Sequence, residues 1–221
     1  PISVPPTDSR LPRGAGLLVA LAHRPISWVG RLLWDLEIFG RENLPTGPHV
    51  VAPNHFSFID PVLVTLAEGR NVRYLAAAGL FDKHPAFARL ISLFGAVPAH
   101  KDRPPIRAIR TALAELAEGR PVGVFPEGRR VTTWGDAEPM RGAAWLAVRA
   151  AVPIIPVAII GSDGTLSHRN PRFSRCTVRV RVLPAIRVEP FLDEPDPIEA
   201  MGRAWVAAVG EHLDPWTDLP G

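Results

Sequence analysis

The sequence predicts an α/β domain, two or three layers deep, entered through an N-terminal amphipathic helical segment. Three observations carry this. Short Val- and Ile-rich runs alternate along the chain with longer stretches whose apolar residues recur at helical spacing. Prolines, 25 in 221 residues and about twice ordinary usage, punctuate those stretches without forming a tract. A content of 47% hydrophobic and 21% charged residues supplies one buried core and excludes global disorder.

Residues 1–13 carry Pro1, Pro5, Pro6 and Pro12 among Ser and Arg, and are expected to form a flexible leader. Because the chain opens on Pro1, a methionine or more is expected to have been removed ahead of it. Residues 14–40 form the amphipathic segment. Leu17, Leu18, Leu21, Ile26, Val29, Leu32, Leu33, Leu36 and Ile38 alternate with Arg24, Arg31, Asp35 and Glu37, with Trp28 and Trp34 among them and a break near Pro25. Such a stripe either packs on the core or lies in a membrane surface. Its longest apolar run, Gly16 to Ala22, is too short to span a bilayer, and no small-residue cleavage site follows it.

Residues 41–214 are expected to be the α/β domain. Strands are predicted over 49–52, 72–76, 95–98, 121–125, 154–159 and 177–182. Helices are predicted over 60–67, with Asp60 as N-cap and Pro61 in the first turn, and over 85–94, 105–118, 141–151 and 199–212. The third of these strands is the short piece Gly95-Ala96-Val97-Pro98. The helix over 105–118 carries Ile106, Ile109, Leu113 and Leu116 on one face and stops at Gly119. The stretch from Ala143 to Ile160 contains Arg149, Pro153 and Pro156, so it reads as helix, turn and buried strand, not as a membrane span. Residues 215–221 are a tail.

A formal charge of +3 and a pI of about 9.7 suit a polyanion or an anionic membrane as partner. The arginines lack interleaved stacking aromatics, so nucleic acid is not expected. The single cysteine, Cys176, excludes an intrachain disulfide framework and a Cys-rich zinc module.

Two stretches have the composition of a reactive site. In Asn54-His55-Phe56-Ser57-Phe58-Ile59-Asp60, a histidine follows a buried strand and an aspartate lies five residues on. On one continuous helix the two would diverge by roughly 140°. They can face each other only if the chain turns between them, and Pro61 favours a helix that starts near Asp60. A His held against Asp is an oriented general base; the plain alternative is a capping Asp beside an unrelated His. In Val122-Gly123-Val124-Phe125-Pro126-Glu127-Gly128-Arg129-Arg130, an apolar strand ends in Pro-Glu-Gly and two arginines. Ligands bind at such strand ends, glycine admits a close approach, and arginine offers a fork for phosphate. Solvated arginines on a loop are the plain alternative.

Taken together, the two stretches resemble the glycerolipid acyltransferase family, which includes the 1-acylglycerol-3-phosphate (lysophosphatidic acid) acyltransferases. The resemblance covers roughly residues 40–165. Asn54-His55…Asp60-Pro61 resembles its first block and Gly95-Ala96-Val97-Pro98-Ala99-His100-Lys101 its second. Phe125-Pro126-Glu127-Gly128-Arg129-Arg130 resembles its third, and Val152-Pro153-Ile154-Ile155-Pro156-Val157-Ala158 its fourth.

The resemblance implies an α/β domain with a central mixed sheet flanked by helices. It implies transfer of a fatty acyl group from an acyl thioester, on CoA or a carrier protein, to a lysophospholipid hydroxyl. The acceptor implied is 1-acylglycerol-3-phosphate and the product phosphatidic acid, a step of phospholipid biosynthesis. His55 would be the general base and Asp60 its orienting partner. Asn54, Lys101, Glu127, Gly128, Arg129 and Arg130 would bind substrate, with Glu127 and Arg130 on the glycerol phosphate. No covalent acyl-enzyme, cofactor or metal is implied. The expected setting is peripheral, on the cytoplasmic face of a membrane and docked by residues 14–40.

The chain departs from the family pattern on the acceptor side. Arg129 and Val131 stand where Thr and Ser are usual, Pro98 where Phe is usual, Lys101 for Arg, and Met140 for a lysine. Another lysolipid or lipid-like alcohol is therefore an alternative acceptor, and a non-catalytic membrane-surface module an alternative function. A metal-dependent hydrolase using His55, Asp60 and Glu127 is disfavoured, because His23, His49, His84, His100, His168 and His212 are dispersed.

Overall fold

A computed structural model describes residues 34–77, 96–99 and 106–213. The leader, residues 14–33 of the amphipathic segment, the helix expected over 85–94, Lys101 and the tail lie outside the described residues.

Among the described residues, seven strands form one sheet: β1 (Leu36–Phe39), β2 (Val50–Pro53), β3 (Arg73–Ala77), β4 (Ala96–Ala99), β5 (Val122–Gly123), β6 (Ile154–Ile160) and β7 (Val178–Val182). Their spatial order is β1-β7-β6-β2-β5-β3-β4. All neighbours are parallel except β6 and β7, so the sheet is mixed, as expected. The described helices are α1 (Asp60–Glu68), α2 (Ile106–Ala117), α3 (Gly142–Ala150) and α4 (Pro197–Leu213).

The central strands are buried on both faces, which is why they read as unbroken apolar runs. Along β2, Val50 and Ala52 join one cluster with Ala112, Leu116, Leu146, Met201 and Trp205, from α2, α3 and α4. Val51 faces the opposite cluster with Leu63, Val64 and Ala67 of α1. Strand β7 instead alternates: Val178, Val180 and Val182 enter the second cluster, while Arg179 and Arg181 point away. Trp205 secures α4 to the sheet by donating its indole N–H to Ala52 O at 2.8 Å.

One expectation is corrected outright. Residues 36–39, read as the end of the amphipathic helical segment, form β1 and pair in parallel with β7. Leu36 and Ile38 pack on the second cluster, and Glu37 meets Arg179 at 2.7 Å. Their spacing of two is that of a strand, but the partner lies about 140 residues away, so the pairing is non-local. Gly40 then turns the chain with φ +76°, where a side chain would strike Val182 O. The α/β domain thus begins by Leu36, not at residue 41. Strand β5 is also shorter than expected, two residues in place of five.

At the entry to β2, His49 and Glu68 form a fully buried pair at 3.2 Å that ties the strand to the end of α1. Arg70 braces Glu68 from outside at 2.8 Å.

Candidate active site

Strands β2, β5 and β6 run the same way, so their C-terminal ends open onto one edge of the sheet. There the connections 54–59, 124–141 and 161–177 meet. The site is built where they touch.

After Pro53 the chain leaves β2 through a turn closed by Asp60. The Asp60 carboxylate is fully buried and folds back on its own loop. Its Oδ2 accepts from the main-chain N–H of Phe56 at 2.8 Å and of Ser57 at 2.7 Å, and from His55 Nδ1 at 2.9 Å. The turn needed to bring His55 and Asp60 together is therefore present. The role expected of Asp60 as helix cap is corrected: the cap position is Ile59, and Asp60 is the first residue of α1, using its side chain on the loop. With Nδ1–H donated to Asp60, Nε2 is left as the basic nitrogen. The imidazole is 17% exposed, against none for Asp60, so the ring is the part of the dyad that solvent or substrate can reach.

The third block holds His55 in place. The main-chain N–H of His55 donates to Glu127 Oε2 at 2.6 Å, and its carbonyl accepts from Val131 N–H at 2.9 Å. The Phe125 ring stacks on the imidazole, with centroids 4.0 Å apart. Main chain and ring of His55 are thus both constrained by residues about 70 positions away. Phe125 was not singled out from the sequence, although it lies inside the third block.

Two assignments change. Glu127, expected on the glycerol phosphate, is 4% exposed and turned inward against the His55 main chain. Burial, opposed by the His55 hydrogen bond and reinforced by the Asp60 charge, pushes its carboxyl up to about 8. It clamps the His55 main chain and faces the interior. Asn54, also expected to bind substrate, is fully buried. Its amide donates to Ile159 O at 2.9 Å and accepts from Ile159 N–H at 2.7 Å, so both ends serve the β2–β6 junction.

Gly128 sits at φ +65°, where a side chain would collide with the Met140 sulfur. Arg129 is exposed and donates to Asp136 O at 2.7 Å. Arg130 is half-buried and lies over the Phe58 ring at 3.6 Å, with Leu166 O 3.4 Å from its Nη1. Burial lowers its pKa from the usual value, and the Asp60 charge opposes that. Arg130 is thus a third-block cation within the field of the dyad's Asp60. Val131 replaces the family's Ser with a buried side chain and contributes its main-chain N–H.

The loop after β6 completes the wall. Phe58 N–H donates to Leu166 O at 3.2 Å, and the Ser57 hydroxyl donates to Thr165 O. Cys176 is half-buried near Gly164 and packs on the second cluster, as a structural residue would. Among the described residues, no group of three or more His, Cys, Asp or Glu is placed to hold a metal ion. No described helix is long and apolar enough to cross a membrane.

An oriented histidine thus sits at the strand ends of an α/β sheet, its main chain clamped from the Phe-Pro-Glu-Gly turn. The family profile described as Acyltransferase matches residues 35–160, more than half of the chain, and the chain belongs to that family. It is 28% identical over 151 residues to the chloroplastic 1-acyl-sn-glycerol-3-phosphate acyltransferase LPAT1 of Arabidopsis thaliana, covering 63% of this chain and 42% of the relative. It is 30% identical over 132 residues to the 1-acyl-sn-glycerol-3-phosphate acyltransferase of Bacillus subtilis, covering 57% of this chain and 63% of the relative. The chain spans about half the length of the curated relatives it matches. The crystal structure of the LPA acyltransferase PlsC from Thermotoga maritima superposes with a TM-score of 0.72 over 93% of this chain and 84% of that chain. At 21% identity, that likeness shows a shared fold.

Proposed function

We propose that this chain transfers a fatty acyl group from an acyl thioester to the free hydroxyl of 1-acylglycerol-3-phosphate, yielding phosphatidic acid. The observation that carries the reading is the His55–Asp60 dyad, with Nδ1 committed to a buried carboxylate and the main chain held by Glu127. The Arabidopsis and Bacillus relatives, 1-acyl-sn-glycerol-3-phosphate acyltransferases, support the acceptor.

His55 Nε2 takes the proton of the acceptor hydroxyl as its oxygen attacks the thioester carbonyl. Asp60 holds the reactive tautomer and stabilises the imidazolium that forms. The tetrahedral intermediate collapses with cleavage of the C–S bond, and the imidazolium returns its proton to the departing thiolate. No covalent acyl-enzyme is needed, and the thioester is a co-substrate. Arg130, a planar fork over Phe58, takes the acceptor phosphate. Lys101 is proposed to assist it. Arg129 and Gly128 shape the turn that presents Arg130. The acceptor lives in a bilayer, so the enzyme works from the surface, on the cytoplasmic side, with residues 14–33 as its docking segment.

The test is release of free thiol from acyl-CoA with a panel of lysolipids. Release that requires lysophosphatidic acid and is lost in His55→Ala is expected. Preference for a lysolipid without the terminal phosphate would overturn the acceptor, and no release with any acceptor would overturn catalysis.

A further inference from the structure

The loop between β6 and β7 does more than wall the site. From Gly164 to Cys176 it contains Arg169, Arg172, Arg175 and His168, and no carboxylate. His168, Arg169, Arg172 and Arg175 are exposed, and Phe173 between the last two arginines is 54% exposed. The third-block loop beside it is different, since Asp136 and Glu138 offset its arginines.

The loop is preorganised. Asn170 is its keystone: its amide donates to Gly164 O and to Ser174 Oγ, both at 2.8 Å, and its main chain closes a turn onto Ser167. Leu166 N–H donates to Arg172 O at 3.0 Å, and Ser174 N–H to Thr165 Oγ1 at 3.0 Å. Asp163 is buried at the base and pairs with Arg169 at 3.1 Å. Gly161, at φ +82°, closes the base where a side chain would strike Thr177 O. A surface already held in shape loses little entropy on binding.

Its position is the second observation. The same loop that presents Arg172 and Phe173 bonds through Leu166 to the Phe58 turn and to Arg130. Phe173 also meets Trp34 at 5.5 Å, where the amphipathic segment ends. The basic, aromatic tip is therefore continuous with the site mouth and with Trp34.

We propose that the Gly164–Cys176 loop is a docking surface for an anionic bilayer, with Arg172 and Arg175 on the headgroups and Phe173 at the interface. It rests on the acyl-transfer reading only for the idea that the acceptor is bilayer-resident. Each arginine near an anionic leaflet is worth roughly fivefold in binding.

The test is partition of the full chain onto phosphatidylcholine vesicles and onto phosphatidylcholine–phosphatidylglycerol vesicles. Arg172→Glu should lower binding to the anionic vesicles by roughly tenfold or more. Arg149→Glu, the same charge change at an exposed residue of α3 next to the opposite end of β6, should lower it less than about twofold. Phe173→Ser should weaken binding to both compositions. Far-UV circular dichroism confirms folding of each variant. Equal losses in Arg172→Glu and Arg149→Glu, or none in either Arg172→Glu or Phe173→Ser, overturn the proposal. The binding assay does not depend on catalysis: a chain that releases no thiol but distinguishes Arg172→Glu from Arg149→Glu overturns the acyl-transfer reading and leaves this one standing.

Discussion

Glu127→Gln offers the sharpest check on how the site is held. Glu127 is almost wholly buried, with Oε2 on the His55 N–H and Oε1 without a partner among the described residues. Its carboxyl is pushed from 4.5 to about 8, chiefly by burial. At about 1.36 kcal/mol per pH unit, that favours the neutral acid in the folded chain by roughly 4–5 kcal/mol. Below pH 4.5 both folded and unfolded chains carry the proton, and the full stability is present. Between 4.5 and 8 the unfolded chain releases it while the folded chain keeps it, so stability falls with rising pH by about 1.4 kcal/mol per unit. Above 8 the folded chain releases it too and the loss is complete. Glutamine has the shape of the neutral acid and cannot titrate. Urea unfolding of both proteins across this range should show Glu127→Gln gaining on the wild type by about 1.4 kcal/mol per pH unit, then levelling near pH 8. Parallel stability curves would refute the inward-facing, neutral Glu127.

Asp60→Asn keeps the side-chain shape but removes the charge from three short hydrogen bonds. A kcat loss of about 10²-fold or more is expected, with about 1–3 kcal/mol of stability lost in urea; kcat within a few-fold of wild type would remove the dyad. Arg130→Ala should raise the acceptor KM while leaving the thioester KM nearly unchanged, and steady-state kinetics with each substrate varied would show the reverse if Arg130 serves the donor. Glu68→Ala removes the buried hydrogen-bond partner of His49 and should cost about 1–3 kcal/mol by urea unfolding, with no change in KM for either substrate.

The local pattern of this chain was legible because it obeys local rules. A period-3.6 stripe placed α2, apolar runs placed the buried strands β2 and β6, and the Pro61 signal placed the start of α1. The dyad was legible too, since five residues with a proline after them permit a turn, and its partners lie on one loop. What escaped was decided by contacts distant in sequence. Strand β1 looked like the end of a helical segment because its partner β7 lies about 140 residues on. Glu127 looked like a ligand for phosphate because nothing in Phe-Pro-Glu-Gly says which way a carboxyl turns; only the approach of the β2 exit loop, about 70 residues earlier, offers it the His55 N–H. Asn54 looked like a site residue because it adjoins His55, yet burial against β6 claims both ends of its amide. The β6–β7 loop carried no motif at all, and the sheet order alone puts it beside His55. Residue identity and spacing determine which elements and which reactive groups exist. Which groups face the substrate, and which hold the others still, is set by burial and hydrogen-bond satisfaction across the sheet edge, and those terms exist only once the chain has folded.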